Sequence, residues 1–300
     1  MLAVPLGVAA SVVYGTSIVV QHRTAQQHAD EGGETSASSL LRLARNPLWL
    51  IAVISDFAGF LLQAAALSAG SVVVIQPLVV LMLPVALAVS SLTGGHRPRI
   101  GDYLGCLGVL GGLAVFLALV GKPGESHVPR PRTLVFAVVL VLVVGAVVSF
   151  AVWRRERVLR GAVYGAVAGA YFGTLAVMVD AASDQAGAHG VKSLVTEPRG
   201  FVPVICLVVL GGAGILLTQM SFQIGALGAT LPANLAADPL TGVVLGAVLL
   251  KEHIPLTPGH LVAYVLCLAA VVLGAARLAD PHAGPIEPDV PPAASPAPSG

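Results

Sequence analysis

Two acidic residues stand where hydrocarbon is expected. Asp56 lies within the apolar run IAVISDFAGFLLQAAAL, with Gln63 two turns later on roughly the same helical face. Asp238 lies in LPANLAADPLTGVVLG, one turn after Asn234 and directly before Pro239. A carboxylate inside a bilayer costs roughly 2.5–3.5 kcal/mol on insertion scales, so both side chains are expected to face protein or water rather than lipid. Carboxylates withdrawn from bulk water can take up and release protons or hold a cation, which is the chemistry of coupling. The competing reading is a structural carboxylic acid hydrogen-bonded to a neighbouring helix. Proline removes one backbone hydrogen bond and crowds the preceding turn, so Asp238-Pro239 predicts a helix locally opened toward a polar cavity. An earlier segment, SVVVIQPLVVLMLPVALAVSSL, carries Gln76-Pro77 at the corresponding place. The Gln76 amide there can bind a polar group of a substrate or satisfy the carbonyl that Pro77 frees.

Other polar residues invite plainer readings. Gln219 and Gln223 fall at the end of an apolar run and read as a wet loop, Asp180 as interfacial, and Lys251 with Glu252 as a solvated helix end. Tyr14, Tyr171 and Phe172 read as packing residues that could also line a path. The eight histidines fall in loops or at the ends of apolar runs, without metal-ligand spacing. Cys106, Cys206 and Cys267 each sit in apolar surroundings and read as small packing residues. No G-x-G-x-x-G in a strand–helix context, Walker A loop or H-E-x-x-H is present, so no soluble enzyme site, cofactor or resident metal is expected.

The elements that position these residues follow from composition. The 300 residues are 56% hydrophobic and only 10% charged, with a net charge of +1. A soluble domain carries about 25% charged residues, so lipid is the expected solvent, and nothing points to nucleic acid. A span needs about 20 mainly apolar residues. Nine segments qualify: 2–20, 48–67, 70–92, 102–121, 133–152, 161–181, 201–219, 229–250 and 260–278. The expected fold is therefore all-α and polytopic. The first segment lacks the basic flank and cleavage site of a signal peptide and is expected to remain as a span. Residues 21–47 read as a loop with an amphipathic turn near Ser39–Arg45, Trp49 is expected at headgroup depth, and the Pro-rich stretch 280–300 is expected to be disordered. Basic residues favour an outside N-terminus and a cytoplasmic C-terminus in the plasma membrane, ten inside against six outside.

The segments repeat. Gly7, Ala10, Gly15, Thr16 and Val19 of the first recur as Gly165, Ala168, Gly173, Thr174 and Val177 of the sixth, with Tyr14 recurring as Phe172. Pro77, Leu78 and Leu83 recur as Pro239, Leu240 and Leu245, and Tyr103, Cys106 and Leu107 as Tyr264, Cys267 and Leu268. Copies five spans apart enter the membrane in opposite directions, the inverted-repeat plan of many secondary transporters. Residues 1–152 then form the first repeat with a connecting helix, and 161–279 the second. Gly7, Ser11 and Gly15, and likewise Gly161, Gly165, Gly169 and Gly173, recur every four residues and read as faces for close helix packing.

The run ALGATLPANLAADPLTGVVLGAVLLKEHIPLTPGHLVAYVLCLAAVVLGA resembles the closing segment of the drug/metabolite transporter superfamily (EamA-like), including the acidic residue after the penultimate span, here Glu252. GFLLQAAALSAGSVVVIQPLVVLMLPVALAVSSL resembles the matching part of that superfamily's first repeat. Val74 to Leu78 is also similar to a Val-x-Pro-Leu step of the NIPA-type magnesium-transporter branch, which nine spans suit better than the ten of the superfamily at large. The resemblance covers about residues 1–279. It implies a secondary transporter that moves, by export, a small metabolite or drug-like solute with proton or cation coupling; a homodimer is left open. The alternatives are a divalent-cation carrier and a non-transporting membrane scaffold or sensor.

Overall fold

A computed structural model describes residues 2–29, 37–69, 78–93, 99–121, 130–250 and 257–278. Gln76, Pro77, Lys251, Glu252 and the stretch 280–300 lie outside the described residues. The described elements are all helical: α1 (Ala3–Gln27), α2 (Ala37–Leu43), α3 (Pro47–Ala69), α4 (Met82–Leu92), α5 (Ile100–Val120), α6 (Pro131–Ala151), α7 (Arg157–His189), α8 (Ser193–Thr196), α9 (Pro198–Ile224), α10 (Leu227–Leu245) and α11 (Pro258–Leu278). Seven of these, α1, α5, α6, α7, α9, α10 with the turn after it, and α11, are long and apolar enough to cross a membrane. Two shorter apolar helices span Pro47–Gln63 and Leu78–Leu92. Large apolar side chains such as Ile54, Phe57, Phe136 and Val147 point outward rather than into the core. In water that surface would be untenable at this extent, and lipid accounts for it. The chain is an all-α, multi-pass membrane protein.

Several helices outrun the segments expected from hydropathy. α1 continues to Gln27 and buries Gln21, His22 and Thr24, so the polar run after residue 20 is helix, not loop. α7 extends to His189, where Gly190 ends it in a left-handed conformation (φ +79°) that suits glycine. Asp180 therefore lies within α7 and not at its end. α9 runs to Ile224, which puts Gln219 and Gln223 in a buried helical turn and not a wet loop. α2 is the short helix expected near Ser39, and its Ser39 and Leu43 are buried against the bundle.

The expected break at Asp238-Pro239 is absent. α10 continues through both Pro232 and Pro239, and the irregularity falls later, in a π-helical turn over Gly246–Leu250. Neighbouring helices and local π adjustments let membrane helices absorb a proline without opening. Here α7 lies directly against the turn that contains Asp238.

Packing follows the small residues. A Cβ on Gly165 would come within 2.5 Å of the Thr230 carbonyl oxygen, and those on Gly169 and Gly173 would strike the Asn234 and Asp238 carbonyls. The three successive contacts climb both helices together, so α7 and α10 run parallel with backbones touching. In the first half, Gly15 meets Met82 and Val85 while Arg23 reaches the Ser90 and Thr93 carbonyls, so α1 and α4 are parallel as well, and Ser11 and Gly7 are buried one and two turns before Gly15. α1 also packs against α3, with Tyr14 at Gln63 and Ser17 at Ala52, and α7 against α9, with Phe172 at Gly214 and Leu175 at Gly211, so both pairs are antiparallel; α5 packs against α11. In this last pair Gly105 meets Gly274, Gly112 meets Cys267, and Phe116 meets Tyr264 edge-on at 5.5 Å. Rising numbers on one helix match falling numbers on the other, so α5 and α11 are antiparallel. One core joins residues 19 and 83 of the early helices to Phe222, Leu231 and Leu278 of the late ones.

Candidate functional site

On α3 the residues Ala52, Asp56, Gly59, Gln63 and Ala66 recur at spacings of four and three, which puts them on one stripe. The stripe faces α1. Gly59 lies under the Tyr14 ring, with its Cβ position 3.1 Å from the ring edge, and Ala52 and Ala66 are buried. Asp56 and Gln63 are therefore carried into the α1–α3 seam, while Ile54, Phe57 and Phe60 face outward.

The seam is polar along its length. The Tyr14 hydroxyl donates to Gln63 Oε1 at 3.0 Å. Ser17 Oγ donates to the Ala52 carbonyl at 2.6 Å and accepts from Gln21 Nε2 at 3.0 Å. The Ser17 hydroxyl and the Gln21 amide are the polar groups that face the Asp56 carboxyl. Asp56 Oδ1 is shielded from solvent and has no hydrogen-bond partner among the described residues.

The network then leaves the seam for α9. Gln219 Nε2 donates to Gln21 Oε1 at 2.9 Å, and the Trp49 indole N–H donates to Gln219 Oε1 at 3.1 Å. Trp49 is thus partly buried, with its indole N–H held by α9. Beside it, His22 Nε2–H donates to the Gly225 carbonyl at 3.1 Å and the ring meets Phe222 edge-on at 5.5 Å. Ser39 of α2 donates to Gln223 Oε1 at 3.3 Å, while Gln223 Nε2 and Ser221 Oγ are buried without partners. Ser17, Gln21, Gln219 and Gln223 are each no more than 5% exposed. Polar side chains from α1, α2, α3 and α9 thus gather where α1 and α9 end.

Asn234, Asp238 and Pro239 lie elsewhere, on α10. Asn234 Nδ2 donates to the Gly165 carbonyl of α7 at 3.2 Å, which makes it a helix–helix tie. Asp238 is half-buried, with its backbone against Gly173 and no hydrogen-bond partner for its side chain among the described residues. α3 and α10 share no extensive interface, so the two carboxylates occupy separate environments. An apolar crevice between α5, α10 and α11, lined by Leu113, Phe116, Ala236, Leu240 and Val271, is too narrow for water. Tyr171 and Phe172 pack: Tyr171 donates to the Leu142 carbonyl at 3.2 Å, and Phe172 covers Gly214. The three cysteines are buried and free, and no group of three His, Cys, Asp or Glu converges among the described residues.

Sequence reasoning finds Asp56 and Gln63 but misses Ser17, Gln21, Trp49 and Gln219. The available signal was Gln219 inside the apolar run GILLTQMSFQI and Gln21 continuing the helical register of Ser17.

The chain is similar to an uncharacterised protein of Corynebacterium glutamicum (Cgl0250/cg0304), 28% identical over 282 residues that cover 93% of this chain and 94% of the relative. No protein-family model matches the chain, and no solved structure matches it.

Proposed function

We propose that this protein is a secondary transporter built from two oppositely inserted halves, moving a small polar or amphipathic metabolite outward with coupling through its intramembrane carboxylates. The carrying observation is Asp56: a carboxyl mid-helix in an apolar segment, with one oxygen buried and unpartnered, linked through Gln21 and Gln219 to the opposite half. A merely structural carboxylic acid would be expected to spend both oxygens on its neighbours.

Three further observations support the reading. The equivalent helices α5 and α11 run antiparallel. Tyr14 of α1 covers Gly59 of α3, and its repeat partner Phe172 of α7 covers Gly214 of α9, each at about 3 Å from the glycine's Cβ position. The parallel pair α1–α4 in one half has its counterpart in α7–α10 in the other. Inverted repeats of this kind place substrate between the halves and work by rocking one against the other. Asp238, half-buried on the second half, is the second coupling carboxylate in this scheme, and the nine apolar helices are nine traversals with the N-terminus outside.

The test begins with a metabolite comparison of cells with and without the protein. Compounds that accumulate without it are then offered to proteoliposomes under an imposed pH gradient. Gradient-dependent flux is expected, and Asp238→Asn is expected to abolish its dependence on the gradient. Flux and coupling unchanged in Asp238→Asn would remove the coupling role, and an absence of flux for every such compound would remove the transporter reading.

A further inference from the structure

We propose that Asp56 is a proton-binding site, and that a one-way file of hydrogen bonds from Trp49 makes it unsuited to a metal ion. The inference deepens the transport reading by naming the coupling ion, and it rests on that reading only for the word coupling.

The file's direction is fixed at its start. An indole N–H can only donate, so the oxygen of the Gln219 amide must face Trp49. The Gln219 nitrogen then faces Gln21, whose oxygen must accept. The Gln21 nitrogen in turn faces Ser17 Oγ, and Ser17 passes its own hydrogen to the Ala52 carbonyl. Reversing the Gln219 amide would set its NH2 against the indole N–H, and reversing Gln21 would set two NH2 groups face to face. The orientation of amides, ordinarily an assignment, is dictated here by a residue with no acceptor.

The direction decides what Asp56 can hold. Of the two polar groups that face it, Gln21 shows its NH2, because its oxygen is committed to Gln219, and Ser17 has given its hydrogen to Ala52 and one of its two lone pairs to Gln21. Tyr14, a titratable group of the same seam, has its hydroxyl hydrogen on Gln63. The cations and titratable groups of α1 turn away: Arg23 donates to the Ser90 and Thr93 carbonyls of the α4 segment, and His22 to Gly225. A divalent ion wants about six or more oxygen ligands, and here it would meet amide hydrogens. A proton needs one lone pair, and the buried, unpartnered Oδ1 supplies it. Charged Asp56 draws on the Gln21 NH2 more strongly than neutral Asp56 does, so proton binding alters the Gln21–Gln219 tie between α1 and α9.

Infrared difference spectra of the full-length protein in lipid nanodiscs, recorded across a pH titration in H2O and D2O, test this. Among the carbonyl bands of protonated carboxyls, one is expected that 13C-labelled aspartate moves, that Asp56→Asn loses and that Asp238→Asn keeps. Gln219→Leu is expected to keep the band at an altered frequency, since Gln21 loses its anchor. Magnesium or sodium chloride added to the wild-type protein should leave it in place. Spectra in which Asp56→Asn removes no such band, or a salt that removes the Asp56 band from wild type, overturn the proposal, and the salt and isotope measurements need no variant to fold. Because the spectra read proton binding without transport, a band obeying these rules in a protein that moves nothing would sink the transport reading alone.

Discussion

The glycine stripe on α7 gives the firmest quantitative expectation. In Gly165→Ala the new methyl would begin 2.5 Å from the Thr230 carbonyl oxygen and would have to retreat by about 0.9 Å to reach an ordinary contact of 3.4 Å. The obstacle is backbone, so no side-chain rotation relieves it. Overpacking of this kind costs about 1–3 kcal/mol. Replacing a mid-helix glycine by alanine returns about 1 kcal/mol in helix propensity, leaving a net loss near 1 kcal/mol. Gly173 meets the Asp238 carbonyl at least as closely and lies eight residues, about 12 Å, along the helix, far enough for the two effects to add. The double variant Gly165→Ala/Gly173→Ala is therefore expected to lose about 2 kcal/mol, or roughly 4–8 °C in a detergent melting midpoint. Gly111→Ala in α5 and Gly212→Ala in α9 are the controls, because an added methyl meets nothing within 4 Å at either. They should match or slightly exceed the wild-type midpoint. A double variant as stable as these controls would show that α7 and α10 do not touch along this stripe.

Two further outcomes follow. In a cysteine-free background, Ile100→Cys at the start of α5 and Thr257→Cys just before α11 should react with a membrane-impermeant maleimide from opposite sides, with position 257 labelled from outside intact cells. Labelling of both from one side would end the inverted arrangement. Expression in a magnesium-starved host should give no growth rescue, given the donors around Asp56, and clear rescue would favour the divalent-cation carrier.

Much of the fold is legible from composition and small-residue spacing. Apolar runs locate the helices, and the four-residue glycine interval of α7 forecasts a backbone-to-backbone contact that the Thr230, Asn234 and Asp238 carbonyls supply. Local rules fail where a distant partner overrides them. Gln21-His22-Arg23 looks like the start of a loop because three polar residues follow an apolar run. They stay helical because Gln219, Gly225 and the carbonyls of the α4 segment accept or supply their hydrogen bonds. Pro239 looks like a break because its missing N–H is visible in the sequence, while the packing that lets α10 continue through it is not.

The site shows the same limit more sharply. Asp56 and Gln63 are readable as a pair because they share a face of one helix. Their meaning depends on bonds joining residues 170 and 198 positions apart, Trp49 to Gln219 and Gln219 to Gln21. Glutamine in an apolar run carries no direction by itself, since its amide donates and accepts equally well. Direction enters with the one participant that cannot accept, and the tryptophan that composition assigns to a headgroup belt becomes the residue that decides which end of two amides reaches the carboxylate. A chain with Phe at position 49 would keep nearly the same hydropathy pattern and the same helices. It would lose the constraint that turns an NH2 group, rather than an oxygen, toward Asp56, and with it the reason to expect a proton and not a metal ion at that oxygen.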